Sequence, residues 1–171
     1  MKQLFRIDLN DYDGCSEVFS RPSARGIILK EDGKIALVYS TKNRYYKFPG
    51  GGIKASEDKA TALIREVREE VGLHVIPESV REFGSVLRRQ KSGERENTIF
   101  EQENFYYFCD VSGDAGEQQL DEYEAEAGFE LRVVTIDEAI RVNKEFTCDY
   151  SFKQIMIDRE TRVLEMIKDS L

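Results

Sequence analysis

Glu66, Glu69 and Glu70 fall at i, i+3 and i+4 of a segment with strong helical character. On a helix these positions share a face. Carboxylates held that close repel, at a cost of about a few tenths of a kcal/mol per i,i+4 pair. A divalent cation removes that cost, and hard cations such as Mg²⁺ prefer carboxylate oxygens. The cluster therefore points to metal-assisted chemistry, although an acidic run is usually just a solvated helix face. What weighs against the plain reading is the turn Pro49-Gly50-Gly51-Gly52 a few residues upstream. Glycines there let backbone come close to a ligand.

The elements that must position these groups follow from the same stretch. Ser56 is suited to cap the helix, with Glu57 and Asp58 in the positive first turn. Ile64, Val67 and Val71 are spaced to make the buried stripe. Gly72 fits the left-handed position that ends a helix. Arg65 lies about two turns beyond Glu57, so the two are placed to pair across the corner between loop and helix.

Gly51 is followed after five residues by Glu57, and Glu57 after seven by Arg65-Glu66; Val67, Arg68, Glu69-Glu70, Val71, Gly72 and Leu73 complete the run. This resembles the Nudix box, G-x5-E-x7-R-E-U-x-E-E-x-G-U with U aliphatic, at every defined position. Tyr46-Lys47-Phe48-Pro49-Gly50-Gly51 is similar to the aromatic and F-P-G-G lead-in common in that family. The resemblance covers the 23 residues of the box closely and roughly 22–143 more loosely. It implies an α/β (α+β) fold, a Nudix-type α/β/α sandwich with a mixed sheet and the box as loop–helix–loop. It also implies hydrolysis of a pyrophosphate linkage in a nucleoside diphosphate derivative, with Glu66, Glu69 and Glu70 holding Mg²⁺ or, in its place, Mn²⁺. Glu66 is then a candidate base as well as a ligand, and Arg65 helps hold the catalytic glutamates, Glu69 among them. Some Nudix enzymes add a glutamate from a later loop as ligand or base. Glu122, Glu124 and Glu126 are the candidates here, ahead of Glu101 and Glu103. For the substrate, the backbone of Gly50, Gly51 and Gly52 and the charges of Arg25, Lys47 and Arg44 are the candidate contacts, chosen for their nearness in sequence to the glycine turn.

In the family, a proline some fifteen residues beyond the box marks many ADP-ribose enzymes, and a tyrosine a little further marks many dinucleoside-polyphosphate enzymes. Here the window reads Arg88-Arg89-Gln90, with neither. That favours a MutT-like (deoxy)nucleoside triphosphate or another small nucleotide, and leaves a nucleotide-sugar pyrophosphatase as one alternative. A non-catalytic nucleotide sensor is another, although such domains usually carry decayed boxes and this one is intact.

Composition narrows the partners. The 171 residues are 40% hydrophobic and 34% charged, enough for one domain over 1–171, with a core of about 22–143 and a C-terminal helix at about 149–168. A net charge of −8 disfavours nonspecific binding to nucleic acid or to anionic membrane. It also repels a polyphosphate unless a metal and local cations offset it. Cys15, Cys109 and Cys148 are scattered and odd in number, the usage of a reduced cytoplasmic protein. No apolar run approaches a membrane span, and the N-terminus lacks a signal-peptide core.

Along the rest of the chain, strands are expected at 3–9, 24–29, 34–39, 45–48, 74–76, 80–89, 98–110 and 129–134, with Glu31-Asp32-Gly33 turning a hairpin. The stretch 10–21 reads as irregular, and 112–127 as a polar loop with a helical turn at most. Alternation sends Phe105 and Tyr107 to one side of their strand and Tyr106 and Phe108 to the other, one side for the core and the other free to border a base. Arg88, Arg89 and Lys91 either steer phosphates or form a solvated sheet edge. His74, the only histidine, reads as structural. Thr135 to Glu138 starts a short helix that runs to Val142. Phe152, Ile155, Met156, Val163, Met166 and Ile167 give a last helix one apolar face, to pack on the sheet or on the second subunit of a homodimer.

Overall fold

The computed structural model of the chain describes residues 1–149 and 151–171, and of Ser151 only the backbone. Its strands are β1 (Gln3–Asp8), β2 (Glu17–Ser20), β3 (Ser23–Leu29), β4 (Lys34–Ser40), β5 (Tyr45–Lys47), β6 (Gly50–Gly52), β7 (His74–Val75), β8 (Arg81–Lys91), β9 (Thr98–Phe108), β10 (Val111–Ser112) and β11 (Phe129–Thr135). The helices are α1 (Lys59–Val71), α2 (Glu122–Glu126), α3 (Ile136–Glu145) and α4 (Ser151–Ser170).

Nine strands of the described residues form one mixed sheet in the order β1-β8-β9-β3-β4-β11, with β2 joined to β9, β5 to β4 and β6 to β3. β9 runs parallel to β3 and antiparallel to β8. Because side chains alternate along β3 and β4, the sheet offers an apolar surface on each face. Ala24, Ile28, Ala36 and Val38 pack with Leu63, Val67 and Val71 of α1. Ile27, Ile35 and Leu37 pack with Ile136 and Ala139 of α3 and with Val163, Leu164 and Ile167 of α4. The result is a three-layer α/β/α sandwich. Gly26 serves the first interface: a Cβ there would come within 3.2 Å of Val67, so its absence lets α1 settle on β3.

Several expectations change. The cap of helix α1 falls two residues later than Ser56: it is Asp58, accepting from Thr61 N–H at 2.8 Å. Its buried stripe is Leu63, Val67 and Val71, whereas Ile64 is half-buried. The irregular stretch 10–21 contains β2, held by parallel pairing of Glu17–Ser20 with Thr98–Glu101. Such a partner lies far off in sequence and leaves no local mark. The glycine turn is in fact a strand, β6, paired with β3 through Arg25–Gly50, Ala24–Gly51 and Ser23–Gly52. The last helix packs on the sheet, and Leu164 and Ile157 do as much of that work as the residues expected. Its expected start crosses position 150, outside the described residues. Arg88 is no part of a surface cluster. It is buried, bonds Gln90 at 2.7 Å and lies 3.9 Å from the Phe152 ring, while Arg89 pairs with Glu101 at 3.1 Å. No described helix is long and apolar enough to cross a membrane.

Candidate active site

Helix α1 begins at an Asp58 cap and ends at Gly72, whose left-handed φ of 69° closes it through an N–H to Arg68 carbonyl bond. Between them, Glu66, Glu69 and Glu70 face the glycine strand β6. The fit to β6 is tight. A methyl group at Gly51 would overlap the Glu66 carboxylate, and one at Gly50 would overlap the Ala24 carbonyl. Gly50 also has a φ of 139°, which a side chain disfavours. Glycine is required at Gly50 for both space and angle, whereas at Gly51 the absence of a side chain leaves room for the Glu66 carboxylate.

Arg65 knits the loop to the helix. Its guanidinium donates to Glu57 at 2.8 Å, to the Gly52 carbonyl at 3.1 Å, to Glu66 at 2.6 Å and to Glu69 at 3.0 Å. Burial works against its charge, and the surrounding carboxylates more than offset that, so it is held protonated more firmly than a free arginine. Glu70 is buried and takes a different set of partners: the Lys47 ammonium and the Gly50 N–H, the latter at 2.8 Å.

A fourth carboxylate joins from another element. The loop before α2 lies along the end of α1: Gln119 N–H reaches the Glu69 carbonyl at 2.7 Å, Gly116 N–H reaches the Gly72 carbonyl at 2.8 Å, and the Gln118 amide reaches the Glu70 carbonyl. Asp121 and Glu124 then form a reciprocal capping box. This brings Glu124 against Glu70. Burial and the Glu70 charge push the Glu124 carboxyl up to about 7, against the pull of the Asp121 N–H and of Lys47. Glu66 is raised as well, by burial first and then by Glu70 and Glu69, with Arg65 opposing.

The donor set suits a hard divalent cation: carboxylate oxygens on two elements, with Glu66 and Glu124 pushed toward protonation by burial first and by neighbouring carboxylates next. As they stand, no three of the described His, Cys, Asp or Glu side chains close on one point. Their oxygens are turned instead to Arg65 and Lys47.

Other expected residues fall elsewhere. Arg25 is buried and donates to the carbonyls of Gly50 at 2.8 Å and Phe48 at 3.4 Å. It braces the glycine strand from beneath, and a phosphate contact from it is corrected on that ground. Lys47 is likewise buried, on Glu70 and 4.5 Å from the Phe129 ring, so its charge is already matched and turned away from solvent. Arg44 is exposed in the β4–β5 turn. Glu122 and Glu126 are exposed, while Glu101 and Glu103 line a separate cavity. His74 is exposed on β7, paired with Ser112.

The sequence reading missed a buried network under the same loop. Glu160 of α4 accepts the Phe48 N–H at 2.8 Å, the Tyr106 hydroxyl at 2.8 Å and the Arg159 guanidinium at 2.9 Å. Both Arg159 and Glu160 are at most 1% exposed. A signal was present: Glu160 is four residues after Met156 and three before Val163, squarely on the apolar stripe of its helix.

A search of known families matches the NUDIX domain over residues 19–154, and the chain belongs to the Nudix family. It carries a Nudix hydrolase domain, whose members generally use divalent metal ions and act on small nucleotides. Among curated relatives it is 37% identical over 68 residues to the RNA pyrophosphohydrolase of Halorhodospira halophila, covering 40% of this chain and 36% of that protein. It is 27% identical over 110 residues to the RNA pyrophosphohydrolase of Xanthomonas axonopodis pv. citri, covering 59% and 52%. The chain thus spans about half or less of the length of these two relatives. Among solved structures, a Nudix hydrolase from Nitrosomonas europaea superposes with a TM-score of 0.53 at 19% identity, over 82% of this chain and 89% of that one. A UDP-X diphosphatase superposes at 0.55 with 18% identity, over 91% and 66%. At such identities these structures share the fold.

Proposed function

We propose that residues 1–171 act as one cytoplasmic Nudix enzyme that hydrolyses a pyrophosphate linkage in a 5′-polyphosphorylated nucleotide. The observation that carries this is the placing of Glu66, Glu69 and Glu70 along the end of α1 beside the glycine strand, with Glu124 of α2 brought against Glu70 and the carboxyls of Glu66 and Glu124 raised by burial first and by neighbouring carboxylates next. Glu66, Glu69, Glu70 and Glu124 would hold Mg²⁺, or Mn²⁺ in its place. When bound, the cation offsets phosphate charge and makes a water more acidic.

The chain's own residues supply the rest. The glycines of β6 offer a strip without side chains, along which phosphates approach backbone. Arg65 fixes Glu66 and Glu69 in direction through two short bonds. Glu66, with its carboxyl raised from the ordinary range, is suited to take a proton from the attacking water. The window Arg88-Arg89-Gln90, which lacks both the proline and the tyrosine, favours a free (deoxy)nucleoside triphosphate, a nucleotide sugar being the smaller alternative, and the intact box argues for turnover over a sensor. A second substrate, a triphosphate at an RNA 5′ end, is favoured by the names of the relatives.

The test is a panel of (deoxy)nucleoside triphosphates, nucleotide sugars and 5′-triphosphorylated RNA, with and without Mg²⁺, scored by product mass. Cation-dependent release of phosphate or pyrophosphate from at least one is expected, and Glu70→Gln, still folded, should lose it. Binding without release in every arm, or full activity in Glu70→Gln, would overturn the reading.

A further inference from the structure

Beside the box lies a cavity of about 780 Å³, within the range of small-ligand sites. It opens where the glycine strand ends. Ile53 and Glu57 of the box loop form one wall, and Ile53 is tied to the link between β2 and β3 by its N–H to the Pro22 carbonyl at 3.0 Å. The other wall is one face of β9. Glu103, Phe105 and Tyr107 are spaced by two, so all three side chains point into it. Lys59, at the start of α1, sets its ammonium 3.6 Å from the Phe105 ring.

The chemistry of the walls selects an occupant. Glu57, Asp58, Glu101 and Glu103 line the cavity against a single lysine, so a phosphate is repelled from it. Phe105, under the Lys59 ammonium, and Tyr107 give this wall an aromatic character that suits a flat ring instead. Glu57 is taken by Arg65, Asp58 caps α1 and Glu101 lies 3.1 Å from Arg89, whereas no ion pair engages Glu103 among the described residues. A carboxylate can accept two parallel N–H donors at once. Lys59 adds a donor. An acceptor oxygen beside two adjacent N–H donors is the edge of guanine; uracil lacks the second donor, and adenine presents an acceptor where the first should be.

We propose that this cavity is the base subsite of the enzyme and that Glu103, with Lys59, makes it selective for guanine. The inference rests on the hydrolase reading above and specifies its substrate. Phosphates would lie along β6, and the exposed Arg21, whose Nε would stand 3.8 Å from a methyl group at Gly52, flanks the route between the two.

Inosine nucleotides provide the test, because they keep the oxygen and the ring N–H of guanine and lack only the amino group. With full-length protein and Mg²⁺, kcat/KM for GTP should exceed that for inosine triphosphate by at least ~5-fold, the lower bound for one bidentate base contact. Glu103→Gln should bring the two toward equality, lowering the GTP rate more than the inosine rate, because inosine loses only the ring N–H contact and guanosine loses both. Equal rates in the unaltered chain, or a preference that Glu103→Gln does not change, would overturn the proposal. Calorimetric titration with GMP and IMP separates this from the hydrolase reading. If no nucleotide is hydrolysed, a guanosine preference in binding that Glu103→Gln abolishes still supports the subsite, and indifference to the base sinks it.

Discussion

Phe48 and Gly50, two residues apart, give their N–H groups to two glutamates on opposite sides of the sheet: Glu160 of α4 takes one and Glu70 of α1 the other, each at 2.8 Å. The surroundings of these two acids differ in kind. Glu160 is fully buried with as much positive charge as it needs. Burial alone would raise its carboxyl; Arg159 and Arg25, with the Phe48 N–H and the Tyr106 hydroxyl, hold it below the ordinary value. Glu70 belongs to a partly exposed group in which Glu66 and Glu124 are raised. One cluster is complete as it stands, and the other is short of positive charge. A complete network fixes a backbone segment. Under the proposed function, a deficient one would receive a cation and its substrate. The loop between them is thereby held from behind by a part that does no chemistry.

The contrast is broken most directly by neutralising one acid on each side. Glu66→Gln should lower kcat by ~10²- to 10⁴-fold, the usual cost of a lost general base. The same change should not lower the melting temperature in the absence of divalent cation, because it removes a repelled carboxylate. Near-normal turnover in this variant would show that Glu66 is neither base nor essential ligand.

On the other side the effect should be on stability. Glu160→Leu strands the Arg159 charge in the core, and breaking a buried pair by removing one partner costs about 3–5 kcal/mol. Urea unfolding should show that loss. The double change Arg159→Met with Glu160→Leu should recover part of it, since the pair is then replaced by apolar volume, leaving the Phe48 N–H and Tyr106 hydroxyl unanswered. A loss below about 1 kcal/mol in the single variant would mean that the network is not what holds the loop.

These two clusters were unequally legible. The front one could be read because its chemistry needs fixed residue types at fixed spacing within one loop and helix, from Gly51 to Leu73. Glu124 stood among five candidate acids, and nothing local separated it from the others. What selects it is the docking of 116–119 along the end of α1, through backbone groups that any sequence possesses. Arg25 and Lys47 were rightly placed near the glycines but wrongly aimed. Both lie on strands, Arg25 on β3 and Lys47 on β5, where a shift of one residue reverses the side a residue faces. The layered fold was legible from alternation and helical period, whereas β2 and the rear network depend on pairings more than fifty residues distant.

The smallest effect is the pattern of stability against pH without divalent cation. Glu124 has its carboxyl raised from 4.5 to about 7 in the folded chain. The folded state therefore binds a proton that the unfolded chain releases. Its contribution is full below pH 4.5 and is lost as the pH rises toward 7. Glu160 is held below 4.5, so its contribution is full above that value and is lost as the pH falls through its lowered folded value. Thermal melts in a chelating buffer should thus decline on both sides of pH 4.5. Glu124→Gln should reduce the upper limb, leaving the part that the raised Glu66 contributes, and Glu160→Gln should reduce the lower. Magnesium should raise the melting temperature most at the upper end, since it competes with protons for the same oxygens. An upper limb that Glu124→Gln leaves unchanged would place the charge deficit elsewhere, and one that magnesium leaves untouched would separate the crowded acids from the metal altogether.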